Sequence, residues 1–141
     1  MAAENHGLRV VLMADDDEED CFLAKEAFEA SGTSVIFRCL QDGVEVMDYL
    51  LDPSFSEACK LPDLILLDLN MPSKDGLKAL LEIKADSSLE HIPIVILTTS
   101  EEEKDYASCM EAGADSYFTK PASFGEWVAI MKSLAKRWLV A

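Results

Sequence analysis

No stretch of the chain approaches the roughly 20 consecutive apolar residues that a membrane span needs. The N-terminus also lacks a basic start followed by a long apolar segment. Neither a signal peptide nor a membrane partner is therefore expected, and a cytoplasmic chain is. Basic residues are scarce: 12 Lys plus Arg stand against 27 Asp plus Glu, a formal net charge of -15. A surface of that sign repels nucleic-acid phosphates and anionic lipids, so no nucleic-acid partner is expected, and most of the acidity reads as solubility. Metal-type cysteine spacing is missing too. Cys21, Cys39, Cys59 and Cys109 form no C-x-x-C pair, and neither His lies near one. That excludes a zinc site and a disulfide framework as expectations, and leaves free thiols in a reducing compartment. Repeats, linkers and low-complexity segments are absent as well.

What is present is a chain of 141 residues, half of them apolar. That is enough for one domain with a packed core and too little for two of ordinary size. Residues 1–7 are polar and read as a disordered N-terminal tail, with one domain over 8–141. The most informative stretch is Leu64 to Gly76. An all-apolar run, Leu64 to Leu67, ends at Asp68; Pro72 follows, and Asp75-Gly76 closes the turn. A short apolar run between breakers reads as a strand buried on both faces, as in a parallel sheet.

The flanking chain has the same rhythm. Leu8 to Ala14 reads as a first strand, and a helix from the acids Asp17 to Asp20, which suit a helix start, to about Ala30. Ser34 to Leu40 is the second strand and Val44 to Leu51 the second helix. Asp52 to Pro62 reads as a long loop. Leu77 to about Lys84 is the third helix, and Ile92 to Thr98 the fourth strand. Glu102 to Ala112 is the fourth helix, Asp115 to Thr119 the fifth strand, and Ser123 the N-cap of the last helix. Five strands alternating with five helices mean βαβ units: an α/β fold with a five-stranded parallel sheet in the flavodoxin-like order.

In such a sheet the carboxyl ends of all strands share one edge, where ligands bind. This sequence places Asp15 and Asp16, Asp68, Thr98 and Lys120 there. Each alone has an ordinary explanation. Asp68 could cap a strand end, Asp15 and Asp16 could belong to an acidic helix start, and Lys120 could be a solvated surface lysine. Their joint placement at successive strand ends is what those explanations do not cover. Two carboxylates about 4 Å apart repel by roughly 4 kcal/mol at an effective dielectric of 20, so the cluster asks for a cation. Oxygen donors suit a hard, partly hydrated ion, Mg²⁺ before Zn²⁺. A lysine and a hydroxyl beside it are the parts that hold a phosphoryl group. No Ser-His, Cys-His or P-loop pattern is present, which leaves a carboxylate as the nucleophile.

Met13-Ala14-Asp15-Asp16, Leu67-Asp68-Leu69-Asn70-Met71-Pro72 with Asp75-Gly76, Leu97-Thr98-Thr99, and Gly113 to Pro121 together resemble a response-regulator receiver domain of two-component signalling. The resemblance runs from the first strand through the last helix. The Asp68 to Pro72 segment, the Thr98-Thr99-Ser100 ending and the long loop after Leu51 look most similar to the short regulators paired with phytochrome-type sensor kinases. The resemblance implies that Asp68 is the phosphoacceptor, taking a phosphoryl group from a sensor histidine kinase or a phosphotransfer protein. It implies Mg²⁺ on Asp16, Asp68 and the backbone carbonyl of Asn70, with Asp15 acting through water. Lys120 and Thr98 would hold the phosphoryl group, and Thr98 and Tyr117 would act as switch residues. Asn70 and Ser100 would tune its hydrolysis. The Lys120-Pro121 bond is expected to be cis by the same resemblance. A downstream protein target, not an enzymatic turnover, is the implied output.

The last helix carries two adjacent apolar stripes, Phe124, Val128, Met131 and Ala135, and Trp127, Met131, Leu134 and Trp138. One covers the sheet. The other is either the width of a normal buried face or a partner surface anchored by Trp127 and Trp138, including a homodimer through helix 4, strand 5 and helix 5. Two other classes of function stand beside the signalling switch. A Mg²⁺-dependent phosphatase with an Asp nucleophile needs a second Asp two residues on, where this chain has Asn70. An unphosphorylated protein-interaction module would have no use for the intact acidic set.

Overall fold

The structure is a computed structural model, and it describes residues 8–52 and 61–139. The expected tail over 1–7 and most of the expected loop between Asp52 and Pro62 lie outside the described residues. Five strands form one parallel sheet: β1 (Arg9–Ala14), β2 (Val35–Leu40), β3 (Leu64–Leu67), β4 (Ile94–Thr98) and β5 (Ser116–Thr119), in the order β2-β1-β3-β4-β5. Among the described residues four helices fill the crossovers, α1 (Glu18–Ala30), α2 (Gly43–Leu51), α3 (Gly76–Ala85) and α4 (Glu103–Glu111), and a fifth, α5 (Phe124–Trp138), follows β5. This is the flavodoxin-like arrangement expected from the alternation of elements.

The central strands read as unbroken apolar runs because each face of the sheet packs against helices. Leu12, Ile65, Leu67, Ile94 and Ile96 point to one side, against Val46 and Leu50 of α2 and Leu80 and Ile83 of α3. Val11, Met13, Leu64, Leu66, Val95 and Leu97 point to the other, against Ala24, Ala27 and Phe28 of α1 and Trp127, Met131 and Leu134 of α5. Side chains alternate along a strand, so four apolar residues in β3 supply two to each core. Each fully buried aliphatic side chain of this kind contributes roughly 1.5–3 kcal/mol.

Helix starts follow the capping residues. Asp17, Asp42, Asp75 and Ser123 each accept a backbone N–H of the first turn. Ser123 also bonds the Glu126 carboxylate at 3.0 Å, a reciprocal cap that begins α5 where expected. Strands begin one or two residues later than the apolar pattern implies. Leu8, Ser34, Ile92 and Pro93 precede their strands, because the ladder starts only at Arg9 opposite Val35 and at Ile94 opposite Ile65.

Three expectations are overturned. Cys21 and Cys39 are not free thiols; they form a disulfide. They lie 18 residues apart, but the first βαβ unit brings α1 over β2 and their Cα atoms to 6.2 Å. A sequence scan for close cysteine spacing misses that pairing. Cys109 is free, and burial pushes its thiol up to about 11, which leaves it unreactive. The Lys120-Pro121 bond is trans, as is every described peptide bond; trans is the ordinary preference of an X-Pro bond. Trp127 is not an exposed anchor. It is 3% exposed and sits in the α1–α5 core, while Phe124 at the helix start is 43% exposed. The Trp127, Met131, Leu134 stripe is the one that covers the sheet. Trp138 is half-buried, with the Arg137 guanidinium 4.4 Å from its ring centroid.

The disulfide closes a loop of 18 residues, and closing a loop near that size stabilises by about 3 kcal/mol in the chain-entropy account. Cys39→Ser should therefore lower unfolding stability by about 2–4 kcal/mol in non-reducing buffer and by much less in excess reductant. Equal losses in both buffers would contradict a bridge that contributes to stability.

Candidate functional site

Sheet pairing continues one residue past the strand ends and fixes the acids side by side. The Asp15 N–H donates to the Leu40 carbonyl at 2.9 Å, and the Asp68 N–H donates to the Ala14 carbonyl at 3.0 Å. Lys120 is set by its own N–H, which donates to the Thr98 carbonyl at 2.7 Å. The parallel register thus brings residues more than 50 positions apart to one edge.

Asp15, Asp16 and Asp68 can each turn a carboxylate oxygen to within 4.8 Å of the others. Asp15 and Asp68 are buried and Asp16 is exposed, so the cluster opens to solvent on one side. Lys120 Nζ stands among them, 2.7 Å from Asp15 Oδ2 and 3.3 Å from Asp68 Oδ2. The Asp15 contact is an ion pair by distance only. Asp15 Oδ2 is fully buried and accepts no hydrogen bond of good angle from any described residue.

Burial raises the Asp15 carboxyl to about 6, opposed by Lys120 and by the Asp17 N–H, which donates at 2.9 Å. Burial works against the charge of Lys120, yet contacts with Asp15 and Asp20, and the nearby Asp68, hold it above the ordinary lysine range. A buried ammonium is thus kept cationic. The donor set fits a hard divalent cation: among the described residues it is three carboxylates, one with a buried oxygen that accepts no hydrogen bond, and no nitrogen or sulfur ligand.

The other expected residues fall at or near the same edge. Thr98 is fully buried, and its hydroxyl accepts the Ser100 N–H at 3.3 Å. The Tyr117 hydroxyl donates to the Ser100 carbonyl at 3.0 Å, and its ring meets Tyr106 edge-on at 5.3 Å. Burial pushes the Tyr117 phenol up. Ser100 turns its own hydroxyl to Asp105, donating at 2.6 Å. Asn70 is exposed, and its N–H points at Asp68 Oδ1 from 3.4 Å. Trp138 lies on α5, half-buried, with its ring against Arg137 and not against these residues.

Sequence reasoning missed Asp20. Its carboxylate lies 2.7 Å from Lys120 Nζ, as close as that of Asp15. Nothing marked it, since the helix dipole already accounts for an acid in the first turn of α1.

Glycine holds the loop that leaves Asp68. A Cβ on Gly76 would lie 2.1 Å from the Asp68 carbonyl oxygen, and the Gly76 N–H donates to the Leu69 carbonyl at 3.1 Å. Gly43 fastens the neighbouring loop, donating to the Lys74 carbonyl at 2.9 Å with no room for a side chain.

A five-stranded parallel α/β sheet whose carboxyl edge gathers acids around one lysine is the layout of a signalling receiver domain, and the comparisons with known proteins agree. Residues 11–132 match the model of the response regulator receiver domain, and the chain belongs to that family. It is 34% identical over 139 residues to the response regulator Rcp1 of Synechocystis sp., covering 99% of this chain and 95% of that one. The phosphorylated cyanobacterial phytochrome response regulator RcpA superposes with a TM-score of 0.85 at 36% identity, over 94% of each chain. The Mn²⁺-bound form of Rcp1 superposes with a TM-score of 0.82 at 34% identity, over 93% of this chain and 94% of that one. Receiver domains of two-component systems interact with histidine kinases.

Gly76→Ala should lower stability in urea unfolding by at least about 1–3 kcal/mol, the usual cost of overpacking. An unchanged midpoint would contradict the close approach at Asp68.

Proposed function

We propose that Asp68 is the phosphoacceptor of a single-domain type of response regulator, receiving its phosphoryl group from the phosphohistidine of a sensor kinase or phosphotransfer protein. The observation that carries this reading is the convergence of Asp15, Asp16 and Asp68 around the Lys120 ammonium at one sheet edge. In the reaction a carboxylate oxygen of Asp68 attacks phosphorus, the P–N bond to the kinase histidine breaks, and the imidazole leaves with the electron pair. Asp15, Asp16, Asp68 and the Asn70 carbonyl would hold Mg²⁺, which supplies charge neutralisation at the transferring oxygens. Lys120 offsets charge on the same oxygens, and the Thr98 hydroxyl becomes a donor to the bound phosphoryl group. The chain's own further chemistry is limited to uptake from small phosphodonors and slow hydrolysis of the acyl phosphate, with Asn70 and Ser100 flanking it.

The output is a population shift. Moving a two-state equilibrium from 1:99 to 99:1 takes about 5.5 kcal/mol of differential stabilisation. Charge-assisted contacts from Lys120 and Thr98 to the phosphoryl group supply part of that. Pulling Thr98 toward the phosphoryl group would break its bond to the Ser100 N–H, and Ser100 is where Tyr117 is anchored. The signal then passes to the α4–β5–α5 face, where Tyr106 is 48% exposed, for a protein target or a second copy of the chain. The similarity to RcpA and Rcp1 supports a phytochrome-type kinase as the donor. A cytoplasmic setting suits such a donor, and there the Cys21–Cys39 bridge is exposed to cellular thiols.

With Mg²⁺ present, the wild-type chain should take up phosphate that alkali and hydroxylamine release, from acetyl phosphate or a kinase, and chelation of the metal should stop it. Asp68→Asn should lose at least about two orders of magnitude of uptake, the scale of removing a nucleophile. Wild-type uptake by Asp68→Asn would overturn the assignment.

A further inference from the structure

Lys120 reaches three carboxylates, and the phosphoacceptor is the farthest of them. Its Nζ lies 2.7 Å from Asp15 Oδ2, 2.7 Å from Asp20 Oδ2 and 3.3 Å from Asp68 Oδ2. Asp15 and Asp68 are accounted for by the cation cluster, which comprises Asp15, Asp16 and Asp68. Asp20 is outside that cluster and arrives from another element, the first turn of α1, three residues after the N-cap Asp17. Its bond to Lys120 has a hydrogen-bonding geometry that the Asp15 contact lacks. Helix capping does not require it, because Asp17 caps the helix and Glu18 and Glu19 already place acids in that turn.

On the footing of the phosphoacceptor reading, we infer that Asp20 is a positioning residue for Lys120, holding the ammonium toward α1 in the unmodified chain and competing for it with a phosphoryl group on Asp68. The lysine side chain is only 9% exposed, so its ammonium has few directions open to it. A phosphoryl group adds acceptor oxygens on the Asp68 side. To bond them, Lys120 turns away from Asp20. Asp20 cannot follow freely, because the next residue, Cys21, is tied by the disulfide to β2. Every phosphoryl group that settles on Asp68 therefore displaces a contact with α1. The competition weakens phosphoryl binding and favours its release.

Fluoroberyllate, a phosphoryl mimic that binds an aspartate together with Mg²⁺, separates the outcomes by calorimetric titration of the whole chain at saturating Mg²⁺. Asp20→Asn, and Asp20→Ser as a second replacement tolerated in a first turn, should bind it about three- to tenfold more tightly than wild type, the scale of one net hydrogen bond redirected. Asp20→Glu should bind as wild type does, because it keeps the competing charge. In a Lys120→Gln background the Asp20 substitutions should change nothing. Equal or weaker binding by both neutral variants overturns the inference. So does a gain in Asp20→Glu, or an equal gain without Lys120, because Asp20 would then act on net charge or helix structure and not on the lysine. A wild-type chain that takes up no fluoroberyllate at saturating Mg²⁺ fails the phosphoacceptor reading itself, and the inference falls with it. Binding by wild type with no gain in the neutral variants fails the inference alone.

Discussion

A single buried ammonium holds the carboxyl edge of this sheet together. Among the described residues, Lys120 is the cation that pairs with Asp15, Asp20 and Asp68. Those acids come from the β1 end, the first turn of α1 and the β3 end, so one side chain at the β5 end ties together elements that are far apart in sequence. Removing one partner from a buried charge cluster typically costs 3–5 kcal/mol, because the remaining charge is left uncompensated. The cluster remains short of positive charge even so: one lysine faces four carboxylates, counting Asp16. That deficit suits the edge to a divalent cation.

The scaffold offsets the cost of this arrangement with an apolar core on each face of the sheet. The apolar alternation of β1, β3 and β4 feeds two separate cores, and the ladder carries its register past the strand ends to Asp15, Asp68 and Lys120. Gly76 and Gly43 let the loops close against Asp68 and Lys74 without a side chain in the way. The acids are therefore positioned by main-chain contacts, while Thr98, Ser100 and Tyr117 beside them are linked by single hydrogen bonds.

The fold was legible from residues whose pattern is local. The apolar runs ending at Ala14, Leu67 and Thr98, and the caps at Asp17 and Ser123, report on strands and helix starts directly. The convergence of Asp15, Asp16, Asp68, Thr98 and Lys120 was legible as well, because parallel topology alone sends strand ends to one edge. What escaped depends on distance across elements. The Cys21–Cys39 bridge needs the packing of α1 on β2, which no cysteine spacing encodes. Asp20 looked like an ordinary acid in a helix start, and only the reach of Lys120 from β5 gives it a second partner. On α5 the two stripes share Met131, and which one faces the sheet is set by the rotation of the helix; the structure buries Trp127 and leaves Phe124 out.

The central claim is that the phosphoryl group is borne by the carboxylate of Asp68. Borohydride reduces an aspartyl phosphate to homoserine and leaves a free aspartate unchanged. After phosphorylation with acetyl phosphate and Mg²⁺, reduction and peptide mass mapping should place homoserine at position 68 and nowhere else. Homoserine at Asp15, Asp16 or Asp20, with position 68 unmodified, would contradict the account.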